Sequence, residues 1–196
     1  MKAFRRRRSG VTATFGPDEA ALLHVLVADL LALLATQDPR GGALSDGADR
    51  NVDPLVALTG MGADSARDPG RPDDPVLARL FPDAYRVDVD PAHAEAAADY
   101  RRFTAGDLHA TKAAGLRLVQ DTLPAAGGTV VLDDETADAW MTVLTDLRLA
   151  LGARLEITEE TVERPPRADD PRAPALEVFD FLGWLQETLV RAVAGW

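Results

Sequence analysis

The sequence predicts a mainly α fold, a four-helix-type bundle with a small antiparallel sheet formed by an N-terminal hairpin and one short strand. Four long segments repeat apolar residues every three or four positions, which is typical of amphipathic helices. Residues 2–15 place β-forming residues around Ser9-Gly10, which predicts a hairpin. With 196 residues, of which 46% are hydrophobic, the chain fits a single domain, 1–196, with a sizeable core.

The hairpin strands are predicted at residues 2–7 and 11–15. The first helix is predicted to begin near Pro17, where Pro-Asp-Glu is a typical helix start, and to end near Ala35. Residues 129–132 form a short β-like run that we expect to join the hairpin as a third strand.

Polar segments separate the helices. Residues 37–51 and 60–75 are dominated by Gly, Asp, Pro, Ser and Arg, so we expect flexible loops there. Short helices are predicted to begin at Asp53-Pro54 and Asp74-Pro75, because Asp suits the N-cap and Pro the first helical position. Residues 156–173 are predicted to be an acidic, Pro-rich connection.

Three further helices are predicted at about residues 91–123, 133–155 and 174–194. Asp133 is the expected N-cap of the second of these. The apolar stripe predicted for the long helix 91–123 includes Asp107 but not His109, which we expect on the solvated face. That stripe consists of Ala96, Tyr100, Phe103, Ala110, Ala114 and Leu118, widened by Leu108 and Val119.

Composition excludes several classes of function. The chain has no cysteine, which rules out disulfides, iron–sulfur clusters and thiol catalysis in it. A net charge of −11 disfavours general affinity for nucleic acids or anionic membranes. We find no nucleotide loop, nucleophile motif or metal-ligand set, so no cofactor is expected and a non-catalytic role is favoured. The expected location is the cytoplasm, with a protein partner.

Three charges in the predicted helix 133–155 have no opposite charge three or four positions away. They are Asp146, Arg148 and Arg154, and such charges need water, a tertiary partner or a ligand. Arg154 lies within the apolar stripe, so we predict a structural salt bridge with Asp107 or Asp29. Asp146 is expected to be solvated, and Arg148, at the edge of the stripe, is the functional candidate. The alternative is an enzyme or ligand site built on this Arg/Asp cluster.

Two apolar residues face away from the predicted core. Trp184 lies on the charged face of the last helix, and Leu149 lies opposite its helix's main stripe. Tryptophan is enriched at interface centres, so Trp184 is predicted to anchor a partner unless loops or the hairpin cover it. A helix that is apolar on two sides is sandwiched or dimerised, which makes a homodimer one open arrangement.

The only basic cluster is Arg5–Arg8. In a strand these side chains alternate, two on each face, which halves the charge density. A solvated hairpin, or one paired with the acidic body of the protein, is the favoured interpretation. Contact with RNA or DNA is the alternative.

Several blocks resemble an actinobacterial family that is classed as a domain of unknown function. The resemblance covers most of the chain except the two polar loops. The blocks are Phe4–Arg7, 53–60, Pro75–Tyr85, Trp140–Leu155 and Phe181–Val190. The resemblance implies a fold but no catalytic residues, since the family has no established activity or ligand. Genes of the family often lie near the gene of the Clp protease adaptor, which implies a link to proteostasis.

Overall fold

The computed structural model describes residues 2–36, 70–85, 93–158 and 170–195. These ranges are mainly helical and contain five helices and one three-stranded antiparallel sheet, which confirms the predicted fold class. In chain order the elements are β1 (Lys2–Arg7), β2 (Gly10–Phe15), α1 (Pro17–Ala35), α2 (Pro75–Leu80), α3 (His93–Thr122), β3 (Gly128–Leu132), α4 (Asp134–Arg154) and α5 (Ala173–Ala194).

The chain forms two compact units. Met1–Ala32 together with Ala113–Trp196 make the larger unit, and Leu33–Lys112 make the smaller one. Residues 37–69 and 159–169 lie outside the described residues. The loop predicted at 37–51, most of the one predicted at 60–75, the helix start at Asp53 and most of the 156–173 connection therefore stay predictions.

The sheet has the order β1-β2-β3, and all of its pairs are antiparallel. β2 pairs with β3 from Val11 opposite Leu132 to Phe15 opposite Gly128, so the predicted third strand is confirmed. β1 pairs with β2 as predicted, but the register shifts by a β-bulge between Lys2 and Arg5.

An aromatic cluster fills the core beneath the sheet. Trp140 of α4 is fully buried, with its ring centroid 5.8 Å from those of Phe4 and Phe15. Its indole Nε1–H donates to the Thr122 hydroxyl at 2.9 Å, so the buried polar group is satisfied. This cluster joins the sheet to α4 and to the end of α3.

Side-chain caps fix several helix starts. Asp74 accepts from the backbone N–H groups of Val76 and Leu77 and caps α2, and Asp133 accepts from Thr136 N–H at 2.8 Å and caps α4. Both predicted N-caps are confirmed. The hydrogen bond from Thr136 also lowers the pKa of the Asp133 carboxyl.

The predicted apolar face of α3 is wrong in both halves of the helix, since Ala96, Leu108 and Ala114 of the predicted stripe are exposed. Tyr100 and Phe103 are exposed, whereas His109, expected in solvent, is buried. His109 is accommodated because its Nε2 hydrogen-bonds the Leu34 carbonyl oxygen at 2.9 Å, and its ring stacks on that of Phe81. The apolar residues that α3 and the residue after it do bury are Ala97, Ala113, Leu116, Val119 and Leu123.

Candidate functional site

Arg148 lies between α4 and α5, half-buried. Its Nη1 donates to the Gln186 side-chain oxygen at 2.7 Å, and the Gln186 amide nitrogen donates to the Thr145 hydroxyl at 2.7 Å. The guanidinium carbon lies 5.1 Å from the centroid of the Phe179 ring, within cation–π range. Arg148 is thus held by two helices at once.

The guanidinium of Arg148 is not saturated by these contacts. Its Nε is buried, and no described residue accepts a hydrogen bond from it. The acceptor of its Nη1 is the neutral amide of Gln186. A buried donor without an acceptor costs free energy, so this Nε is a locally unfavourable feature of the α4–α5 contact.

Gly183 of α5 faces this guanidinium without crowding it. A Cβ added at Gly183 would lie 3.6 Å from Arg148 Nε and Nη2, an ordinary van der Waals distance. Since glycine inside a helix costs roughly 0.5–1 kcal/mol relative to alanine, we expect Gly183→Ala to stabilise the protein by about that amount in urea unfolding. A loss of stability would show instead that Arg148 has no room to adjust.

The predicted core position of Arg154 is wrong, whereas its salt bridge with Asp107 or Asp29 stays a prediction. Arg154, Asp107 and Asp29 are all exposed. Arg154 stands in the last turn of α4, where the following residue, Leu155, is the buried one. A cation there suits the negative end of the helix dipole. The alternative of an enzyme or ligand site built on this Arg/Asp cluster stays a prediction.

Asp146 also differs from expectation, because its residue is 3% exposed rather than solvated. Its position on α4, off the predicted stripe, indicated solvent, yet it is covered. Of the three charges predicted to matter in this helix, Asp146 is buried, Arg148 is half-buried and Arg154 is exposed.

Trp184 is 44% exposed, although α5 buries Leu182, Leu185 and Leu189. Its ring stacks on Phe181, with centroids 6.3 Å apart and 27° between the planes. This Trp184–Phe181 pair is the aromatic surface on α5. Leu149 of α4 is half-buried.

The structure does not bring Arg148 and Trp184 into one site. A helix turns about 100° per residue. The three α5 residues that contact or face Arg148 therefore lie on one side of α5, and they are Phe179, Gly183 and Gln186. Trp184 and Phe181 lie on a different side. Arg148 and the aromatic surface are therefore separate candidates.

Arg5, Arg6 and Arg7 alternate between the two faces of β1, but Arg8 lies in the turn after the strand, so the prediction of two arginines on each face holds only for Arg5–Arg7. Arg6 Nη1 donates to Asp134 Oδ1 at 2.6 Å, and this hydrogen bond raises the pKa of Arg6. Arg5 and Arg7 instead line an open cleft of about 580 Å³ on the outer face, together with Lys2. The sequence did not indicate Lys2, because its place there depends on the bulge.

A small cavity of about 70 Å³ lies in the smaller unit. Its lining is mostly apolar and includes Leu77, Phe81 and Leu108, with His109 and Arg101 as polar members. Across the described ranges, no three His, Asp or Glu side chains are grouped so that they could hold a metal ion. None of the described helices is both long and apolar enough to cross a membrane.

The chain matches, over residues 1–193, the family described as domain of unknown function DUF2017. It belongs to this family. The predicted resemblance is thereby confirmed at the level of the family and its actinobacterial members. The proximity of the family's genes to that of the Clp adaptor stays a prediction.

Named relatives of this DUF2017 chain come from mycobacteria. The putative oxidative stress regulator AosR of Mycobacterium leprae is 36% identical over 185 residues, which cover 90% of this chain and 79% of the relative. The oxidative stress regulator AosR of Mycobacterium tuberculosis is 33% identical over 191 residues, covering 93% and 82%. No solved structure matches the chain.

This chain lacks the residue type that direct sensors of oxidants commonly use. Regulators that sense oxidants directly commonly use a low-pKa cysteine thiolate. The present DUF2017 chain has no cysteine and three methionines, of which Met141 on α4 is half-buried. A thiol–disulfide switch within this chain is therefore excluded.

Proposed function

We propose that this DUF2017 protein is a non-catalytic cytoplasmic regulator of the response to oxidative stress that acts by binding another protein. The regulatory role is supported by mycobacterial relatives that are named oxidative stress regulators and align with at least 90% of this chain. Because the chain has no thiol, the oxidant signal is not read by a cysteine of this chain.

The observation that carries the binding part of the proposal is the exposed Trp184, which stacks on the half-buried Phe181. A tryptophan presents a large apolar surface with few rotatable bonds, and such residues dominate binding free energy at interfaces. Trp184 keeps 44% of its surface in contact with solvent while its ring is held in place by stacking on Phe181. The aromatic surface is thus preformed, which lowers the entropic cost of binding.

Capture of partners from the native host tests this proposal. The full-length protein is crosslinked in cells under oxidant challenge, as wild type and as Trp184→Ala. We expect wild-type crosslinks to a partner to cluster on α5. Loss of an interface tryptophan typically costs about 2 kcal/mol or more, so recovery of that partner should fall at least roughly thirtyfold in the variant.

Val190→Ala is the matched control. Val190 lies on the same helix and is equally exposed, at 44%, but carries no aromatic ring. Its substitution should leave partner recovery unchanged. Recovery of the same partner by wild type and Trp184→Ala alike would contradict the assigned surface, and the absence of any partner would contradict binding as the mode of action.

The link to proteostasis and the homodimer are two further parts of the proposal, and each is tested by a separate measurement. Clp protease components among the crosslinked proteins would support the proteostasis link, and their absence would remove it. A homodimer through Leu149 predicts a doubled mass in light scattering that returns to the monomer mass in Leu149→Asp.

A further inference from the structure

A row of cations lies on the outer face of the sheet. Arg5 and Arg7 are two residues apart and so point to the same side of β1. Lys2 would point away from them in a regular strand. The bulge between Lys2 and Arg5 inserts one residue, so that Lys2 lines the same cleft. We call Lys2, Arg5 and Arg7 the cation row.

The surface beside the cation row offers hydroxyls but no carboxylate. Thr12 and Thr14 of β2 line the cleft with it, and exposed Thr129 and Val131 of β3 are paired with these two residues. None of the three strands contains an acidic residue, in a chain with 32 acidic residues and a net charge of −11. The sheet is therefore locally basic, although the net charge of the protein is negative.

The contrast with Arg6 shows that the row is left open. Arg6, on the other side of β1, is neutralised by its ion pair with Asp134. Within the described ranges, Arg5 and Arg7 form no ion pair. Their charges are available to a partner, and the cleft of about 580 Å³ gives access to them.

We propose that the outer face of this sheet binds an extended, acidic segment of a partner protein, with carboxylates at alternate positions. Side chains on one face of a strand repeat every two residues, about 6.8 Å, and this is the repeat of both Arg5–Arg7 and an extended ligand. Each arginine can bind a carboxylate through two parallel hydrogen bonds. The inference rests on the proposed protein-binding function but uses a surface distinct from Trp184.

A nucleic acid is the less suitable polyanion. Single strands bind sheets by stacking their bases on exposed aromatic rings. Phe4 and Phe15, the aromatic residues of the three strands, are buried beneath the sheet. The net charge of −11 also repels a long phosphate backbone at distances beyond the cation row.

Fluorescence anisotropy with defined probes tests the proposal on the full-length protein. The probe is a fluorescein-labelled peptide of alternating Glu and Thr, ten residues long. A peptide of alternating Gln and Thr and a twelve-nucleotide oligo(dT) serve as comparisons. We expect saturable binding of the alternating acidic peptide that weakens as NaCl is added. The other two probes should bind at least tenfold more weakly.

Variants locate the binding. Arg5→Gln/Arg7→Gln should weaken binding of the alternating acidic peptide at least tenfold. Arg79→Gln/Arg117→Gln removes the same charge from two exposed helix positions and should leave it unchanged. Circular dichroism checks that both double variants are folded.

Several results would overturn the inference. They are no binding of the alternating acidic peptide, tighter binding of oligo(dT), and equal loss in both double variants. Trp184→Ala separates this inference from the proposed function. Peptide binding that survives Trp184→Ala while host partners are lost is the expected pattern. Host partners that bind through Trp184 without any peptide binding would overturn the cation row alone.

Discussion

Trp140→Ala is expected to lower the free energy of unfolding by roughly 3–5 kcal/mol, the range for removing a large aromatic side chain from a core. Trp140 is fully buried and contacts two rings, edge-on to Phe4 and stacked on Phe15. Alanine would leave a cavity where the sheet meets α4. It would also remove the donor to Thr122. Urea unfolding followed by circular dichroism measures the loss without relying on tryptophan fluorescence.

Two substitutions separate the contributions to this loss. Trp140→Phe keeps an aromatic ring between Phe4 and Phe15 but loses the hydrogen bond, so it should cost less than alanine. Thr122 retains a second hydrogen bond, to the Leu118 carbonyl oxygen, which limits that cost. Trp184→Ala, at an exposed tryptophan, should change stability by less than about 0.5 kcal/mol. Equal effects at positions 140 and 184 would refute the assignment of core and surface.

The elements of the fold were predictable where the signal is local. An N-cap needs one side chain and the two or three N–H groups that follow it, so Asp74 and Asp133 could be assigned from the sequence. The three strands were predictable for a similar reason, because short β-rich runs flank glycines. The predicted start of α3 near residue 91 lies outside the described residues, and the other ends of the four long helices lie within two residues of their predicted positions.

The orientation of α3 was not predictable from apolar periodicity alone. Tyr100 and Phe103 look like core residues by type, and His109 does not. The hydrogen bond between His109 and the Leu34 carbonyl oxygen reverses that expectation, because it satisfies the imidazole inside the protein. That partner lies 75 positions away in the chain. No signal near His109 reveals it.

The charged candidates show the same limit. A helical wheel gives the direction of Arg154 but not whether another element is present at that level of the helix, and Arg154 is exposed in the last turn of α4. The cation row depends on a bulge, which is a property of two paired strands rather than of one. Sequence reasoning found Arg5, Arg148 and Trp184. It could not find that Lys2 joins Arg5, or that Arg148 and Trp184 lie apart.

Gly10→Ala is expected to be strongly destabilising, because it disturbs the pairing of β2 with β3. Gly10 has a φ of 121°, which L-residues rarely adopt, and an added Cβ would lie 2.2 Å from the Leu132 carbonyl oxygen. Backbone strain costs about 1–3 kcal/mol, and forcing β2 away from β3 adds roughly 1–3 kcal/mol. Urea unfolding should show the sum of both.

Gly195 and Gly183 serve as matched controls that separate backbone strain from steric collision. Gly195 has a φ of 77° with no atom within 4 Å of an added Cβ, so Gly195→Ala should show strain without collision. Gly183→Ala should show neither, since its added Cβ has room. Stability should therefore fall in the order Gly183→Ala, Gly195→Ala, Gly10→Ala.

Since Gly10 pairs with Arg7, Gly10→Ala should also weaken binding of the alternating acidic peptide while Gly195→Ala does not. A Gly10→Ala protein with wild-type stability would mean that the hairpin turn can relax, and the geometry of the cation row would then be adaptable rather than fixed.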